Sequence, residues 1–241
     1  MANIALIIAG GSGSRMHQDI PKQFINVFDR PVIMYTLENF QRHPQIDAIE
    51  VVCIKGWESV LEAYSRQFNI TKLKWTVPGG ESAQESIRNG VFNLEKVCSD
   101  DDIIVIHDGI RPMVNMEVLS DVIYVCGEKG NAVTSMPYNE QIFKVSEDDP
   151  ESTVGYIPRE QIRRVSTPQA YKFKMLDEAY HEAFEKKIGI YGSSYANTMM
   201  TELGHRLYFA AGSDKNIKLT TTEDLETFKA YLTTQRDSWL K

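Results

Sequence analysis

The sequence predicts an α/β protein: one domain over residues 1–241, built on a doubly wound, mostly parallel sheet with a protruding β-arm at about 136–157. Three observations predict it. Short runs rich in Ile and Val recur, each bounded by Gly, Pro or Asp. Helical patterns lie between most of them, as βαβ units require. A glycine-rich stretch, Gly10-Gly11-Ser12-Gly13, follows the first run directly. At 241 residues the chain can bury a sizeable core.

The predicted strands are Ile4–Ala9, Ile49–Ile54, Leu73–Val77, Ile103–Ile106 and Ala132–Met136, with a late strand at Leu207–Ala211. Pro31–Arg42 reads as a helix with Ile33, Leu37 and Phe40 on one face and Pro31 in its first turn. Gln84–Val97 is a second helix, with Ile87, Val91 and Leu94 at spacings of four and three. Met116–Cys126 and Lys174–Lys186 follow the same period. Thr221-Thr222-Glu223-Asp224 opens a last helix, Thr222 to about Thr233, with a capping box. Between Met136 and Ile157 short extended pieces with Asp148, Asp149 and Pro150 leave the sheet pattern, which predicts the arm.

The totals narrow the function. Hydrophobic content of 42%, charged content of 24% and net charge of −7 describe a globular protein, not a general nucleic-acid or membrane-surface binder. No apolar run reaches the ~18 residues of a membrane span, and no basic segment precedes the apolar N-terminus as in a signal peptide. Cys53, Cys98 and Cys126 are far apart and lack CxxC spacing, so reduced thiols in the cytoplasm are expected rather than disulfides or zinc.

Glycines at the carboxyl end of a parallel strand let an anionic ligand approach backbone N–H groups. Arg15, just beyond Gly13, adds a bidentate phosphate donor, and Lys22 in "PKQF" adds a compact charge. The stretch therefore reads as a nucleotide phosphate cradle, against the plainer alternative of a tight strand-to-helix turn. The dinucleotide fingerprint GxGxxG fails because Met16 stands where its third glycine belongs, and no GxxxxGK[ST] occurs. "DDIIVIHDGIRP" delivers His107 and Asp108 at a strand end. An acid there can hold Mg²⁺ on nucleotide phosphates, though it can equally cap a turn. His107 reads as structural.

GGSGSRM with PKQF resembles the methylerythritol-phosphate and ribitol-5-phosphate cytidylyltransferase family. The HDGIRP, TPQ (Thr167-Pro168-Gln169) and NIKLTTTEDL segments follow in the family's order, so the resemblance spans Ile4 to about Leu232. It implies a Rossmann-like fold and a transfer of CMP from CTP to a polyol phosphate, releasing pyrophosphate. Arg15, Lys22 and Lys218 would be the catalytic cations. Ala9, Gly10, Gly11 and Gly13, with Gly80, Glu81 and Ser86 of "PGGESAQES", would bind CTP. Arg111, Gln141, Arg159 and Thr167 would face the acceptor, and Asp108 would be the Mg²⁺ acid. The arm implies a homodimer in which Arg159 nears the partner's site. Arg163 and Arg164 read as a solvated face.

Three positions depart from the family pattern. Ser82 and Ala83 stand where an arginine is frequent. Tyr195 falls, by ungapped counting from Asn216, where a second metal-site acid is usual. Glu140-Gln141 replaces the usual Asp-Thr, which predicts a reshaped acceptor pocket and favours a ribitol 5-phosphate-like acceptor. The alternatives are the methylerythritol-phosphate enzyme of isoprenoid synthesis, a pyrophosphorylase using another nucleotide, a nicotinamide oxidoreductase and a non-catalytic nucleotide-binding module.

Overall fold

The computed structural model describes residues 1–11, 20–192 and 195–237. The first apolar run is β1 (Asn3–Ala9), buried along nearly its whole length. A two-residue hairpin, β2 (Asn26–Val27) and β3 (Arg30–Pro31), leads into α1 (Val32–Arg42), with Pro31 at its N-cap rather than inside its first turn. β4 (Ala48–Cys53) follows, fully buried. Next come α2 (Glu58–Gln67), β5 (Leu73–Pro78), α3 (Ala83–Leu94), β6 (Ile103–Asp108) and α4 (Met116–Lys129). α4 stops at Gly130, whose φ of 89° suits a left-handed cap. β7 (Asn131–Pro137) runs out to the arm, a hairpin of β8 (Ile142–Lys144) and β9 (Gly155–Ile157). β10 (Arg163–Lys172) returns to the sheet and continues into α5 (Phe173–Lys186). α6 (Ala196–Glu202), β11 (Phe209–Ala211) and α7 (Thr222–Asp237) complete the chain.

Among the described residues the main sheet has seven strands in the order β11-β7-β10-β6-β1-β4-β5. All of its pairings are parallel except those of β10, which runs against both β6 and β7. The chain adds β4 and β5 on one side of β1 and then returns to place β6 on the other. That reversal opens a crevice beyond the carboxyl ends of β1 and β6, where open α/β sheets bind ligands. In register, Ala9 lies beside Cys53 and Ile8 beside Asp108, so these strand ends share one edge.

Each face of the sheet carries its own core. One packs Ile7, Val51 and Val105 against Ile33, Leu37 and Phe40 of α1 and Leu119 and Val122 of α4. The other packs Leu6, Val52 and Ile104 against Val91 of α3, Leu176 and Tyr180 of α5, and Met199 and Met200 of α6. α7 buries Phe228 in a third cluster with Val27, Ile110 and Leu219.

Besides the short β2–β3 hairpin, three elements differ from the sequence expectation. α2 was not foreseen, although Trp57, Leu61, Tyr64 and Phe68 recur at helical spacing; the stripe is interrupted by charged residues, and only Leu61 and Ser65 are buried within the helix. β10 escaped because Pro168 sits inside it. The ladder shifts register between Ser166 and Gln169, and the missing N–H falls in that irregularity. α6 spans only seven residues, too few to reveal a period. The box opening α7 does form: Thr221 Oγ1 accepts from the Asp224 N–H, and Asp224 Oδ2 accepts from the Thr221 N–H.

β4 also buries an acid. Glu50 is fully covered, with Asn93 Nδ2 donating to Oε1 at 3.3 Å and no donor for Oε2 among the described residues. Burial pushes its carboxyl from 4.5 up to about 8. Between those values the folded state binds a proton that the unfolded state has lost, so stability falls as pH rises. Glu50→Gln keeps the shape and cannot ionise. Its Tm should match wild type below pH 4.5 and exceed it by a margin that grows until about pH 8, measured by thermal melts across that window.

Candidate active site

Two loops meet over the strand edge. Gly10, after β1, packs on Gly79, after β5: a Cβ added at Gly79 would lie 3.1 Å from Gly10 Cα, and one at Gly10 would lie 3.0 Å from Ser86 Oγ. Gln23, buried in the short helix Lys22–Phe24, fixes the first loop from below, its Nε2 donating to the carbonyls of Ala9 (2.7 Å) and Gly11 (3.1 Å). The second loop is held by the start of α3. Ser86 Oγ accepts from the Gly80 N–H at 3.0 Å and donates to the Ser82 carbonyl at 2.9 Å. Ser82 and Glu85 form a reciprocal capping box. The Glu81 N–H also donates to Glu85 Oε2, at 2.8 Å. Sequence reasoning named Ser86 but missed Gln23. A buried glutamine directly before an aromatic has no signature except the loop it serves.

Asp108, at the end of β6, is the electrostatic centre. Arg111 Nε donates to its Oδ2 at 2.8 Å and Lys218 Nζ to its Oδ1 at 3.2 Å. Its N–H donates to Thr167 Oγ1 at 3.1 Å, and Asn216 Nδ2 donates to the Thr167 carbonyl at 2.7 Å, so β6, β10 and the 216–218 segment are tied together. Burial raises the Asp108 carboxyl, but Lys218 and Arg111 together outweigh it and hold it below the usual carboxylate range. His107 points away, against Phe40, with Nε2 donating to the Arg111 carbonyl at 3.1 Å. Burial lowers it from 6.5 to about 4, so it is a neutral structural residue at pH 7.

These parts surround one cleft of about 990 Å³. Of the residues named from sequence, Ala9, Gly10, Gly11 and Lys22 line it from the first loop, and Gly80, Glu81 and Ser86 from the second. Asp108, Thr167 and Lys218 line its floor. Gly13 and Arg15 lie outside the described residues. Arg111 does not line the cleft, contrary to its expected place on the acceptor side. Its guanidinium turns to Asp108 and to the Asn216 carbonyl (2.8 Å), because a cation beside a buried carboxylate is drawn to it. Gln141 and Arg159 line a separate hollow of about 350 Å³ on the arm, where Arg159 Nη1 donates to the Asn139 carbonyl.

A sequence model described as "IspD: 2-C-methyl-D-erythritol 4-phosphate cytidylyltransferase" matches residues 3–234. A ribitol-5-phosphate cytidylyltransferase from Lacticaseibacillus paracasei is 58% identical over 95% of this chain and 97% of its own. The chain belongs to the IspD family. A 2-C-methyl-D-erythritol 4-phosphate cytidylyltransferase from Syntrophus aciditrophicus is 35% identical over 95% of each chain. The crystal structure of 4-diphosphocytidyl-2C-methyl-D-erythritol synthase from Anaerococcus prevotii superposes with a TM-score of 0.80 at 21% identity, covering 96% of each chain, and shares the fold.

In this IspD-family cleft the position read from sequence as a missing acid is an aromatic wall. The Tyr195 ring lines the cleft with Lys218 Nζ 5.3 Å from its centroid. Among the described residues the acids of the cleft are Glu81, Glu85 and Asp108. Mg²⁺ binds through one or two carboxylates with phosphates and water completing its shell, so an ionised Asp108 at the cleft floor suits it once phosphates are present. Among the described residues the one group of three ligating side chains close enough to share a cation, Glu95, Asp177 and His181, lies elsewhere.

The second loop has no room for a larger residue at Gly80. An added Cβ would sit 2.4 Å from Glu85 Cβ and 3.0 Å from the Glu85 carbonyl carbon. Gly80→Ala should destabilise by about 1–3 kcal/mol, as overpacking does. Gly11→Ala, where a Cβ meets nothing within 4 Å among the described residues, should stay within about 0.5 kcal/mol. Thermal denaturation of the pair checks both.

Proposed function

We propose that this protein is a ribitol-5-phosphate cytidylyltransferase, transferring CMP from CTP to ribitol 5-phosphate with release of pyrophosphate. The observation that carries the reading is the 58% identity, end to end, to an enzyme of that name, against 35% to a methylerythritol-phosphate enzyme. The cleft chemistry supports it. A glycine-walled crevice at the sheet's switch point, with Lys22 and Lys218 on its lining, suits a triphosphate.

In the reaction an oxygen of the acceptor phosphate attacks the α-phosphorus of CTP. A new P–O bond forms, the α–β bond breaks, and pyrophosphate leaves with the electron pair. The second pKa of a phosphate monoester lies near 6, so the attacking dianion exists at neutral pH without a general base. The protein's task is alignment and charge stabilisation. Lys22 and Lys218 would face the charge on the α-phosphate and leaving group, a role the sequence resemblance gives Arg15 as well. Gly80, Glu81 and Ser86 would hold the nucleoside, and Thr167 would wall the acceptor side. Asp108 would hold Mg²⁺, which when bound offsets triphosphate charge.

The same reading makes the protein a cytoplasmic homodimer. Its three free cysteines suit a reducing compartment. Phe143, Val145, Val154 and Tyr156 stand exposed together on the arm hairpin, an apolar surface of the kind that pairing covers. A partner's arm would then carry Gln141 and Arg159 toward the acceptor. Light scattering is expected to give twice the chain mass at micromolar concentration; a monomer would remove these two residues from the site.

The deciding assay is pyrophosphate release with CTP and Mg²⁺ against ribitol 5-phosphate and 2-C-methyl-D-erythritol 4-phosphate. Ribitol 5-phosphate should be preferred by at least ten-fold in kcat/KM. The reverse preference would make the protein an enzyme of isoprenoid synthesis, the second reading that the family model's own description favours.

A further inference from the structure

Lys218 is a flexible side chain asked to hold one place. Four methylenes lead to an ammonium with three freely rotating donors, so one contact leaves it several positions. Asp108 supplies one contact, through Oδ1 at 3.2 Å. The Tyr195 ring face supplies the other, 5.3 Å from Nζ. The two act differently on the charge. A carboxylate attracts a cation by neutralising it, whereas an aromatic face attracts it through the ring quadrupole and leaves the full charge for an incoming anion.

The ring's own backbone is held firmly. Gln84, buried at the start of α3, donates through Nε2 to the carbonyls of Tyr195 (3.0 Å) and Gly189 (3.1 Å), while its Oε1 accepts from the buried Tyr180 hydroxyl at 2.9 Å. Thr198 Oγ1 also donates to the Tyr195 carbonyl, at 2.8 Å. Tyr195 thus begins α6 in an extended conformation (φ −133°, ψ 139°), with its carbonyl held by two side chains.

We propose that Tyr195 is a positioning residue for Lys218: its ring holds the ammonium in the cleft, still charged, when phosphate competes with Asp108 for it. Gln84, next to the nucleoside-side loop, sets where that ring stands. This inference rests on the CTP reading of the cleft, and its test separates the two.

Tyr195→Phe and Tyr195→Leu would be made in wild-type and Lys218→Met backgrounds. In the free protein, the ε-methylene protons of Lys218, assigned by their loss in Lys218→Met, should resonate upfield of the other lysines through the ring current. The shift should persist in Tyr195→Phe and vanish in Tyr195→Leu. In turnover, Tyr195→Leu should lower kcat/KM for CTP about ten-fold, close to 1.4 kcal/mol. Tyr195→Phe should recover most of that loss. In Lys218→Met, Tyr195→Leu should cost nothing further. An ordinary Lys218 shift in the wild type, or a Tyr195→Leu loss of equal size without Lys218, would overturn the inference. Absence of CTP turnover in the wild type would instead overturn the reading of the cleft, and the proton shift alone would then decide whether Tyr195 holds Lys218.

Discussion

Lys218→Ala should lower kcat by about 10²–10³-fold, the loss seen when one preorganised donor to developing charge is removed. The cause is the position of Nζ, on the lining of the cleft beside Asp108 and within reach of a triphosphate. The fold should suffer far less. Lys218 is a quarter exposed and its partner keeps Arg111, so the ion pair is replaced in part by what remains. Steady-state kinetics with a thermal melt on the same sample separates the two effects. A kcat within three-fold of wild type would remove Lys218 from the charge-stabilising role.

Asp108→Asn reverses that balance and should cost both activity and stability. The carboxylate is shared by two cations, and Arg111 is itself largely buried. Losing the negative charge leaves both facing a neutral amide. Removing one partner of a buried pair costs about 3–5 kcal/mol, and the lower end applies at this partly open cleft. That corresponds to a Tm lower by about 6–12 °C at this chain length.

The pH dependence gives a sharper check. The folded Asp108 carboxyl lies below its ordinary 3.8, so its stabilisation is complete above that value and is lost as pH falls through the folded pKa. The Tm gap between wild type and Asp108→Asn should therefore be constant at neutral pH and close below pH 3.8. His107, lowered from 6.5 to about 4, destabilises both proteins over that acid range and largely cancels in the difference. A gap that stays open below pH 3.8 would mean that the variant disturbs packing rather than charge.

Much of the cleft was legible in the chain because its parts are local. A buried strand that ends in glycines announces a ligand edge, and Ile4–Ala9 followed by Gly10 and Gly11 does form that edge. His107-Asp108 ends a strand in the sequence and in the structure. Lys22, Ser86, Thr167 and Lys218 were named from separate motifs, and one cleft collects them. The positioning residues were not legible. Gln23 and Gln84 are ordinary glutamines until the carbonyls of Ala9, Gly11, Gly189 and Tyr195 come within reach of them.

By itself, then, the sequence determined the α/β class, the central strands, the glycine edge and the order of the motifs. Each depends on hydrophobic period, glycine sterics or residues adjacent in the chain. Only the tertiary structure decided three other things. β10 runs antiparallel with Pro168 in its bulge, Arg111 is spent on Asp108 rather than offered to the cleft, and Tyr195, already read from sequence in place of a usual acid, turns its ring to Lys218. Strand direction and the approach of a ring to an ammonium are set by residues tens of positions apart, and Arg111, only three residues from Asp108, also bonds the distant Asn216 carbonyl. Their energies exist only once folding has brought those residues together.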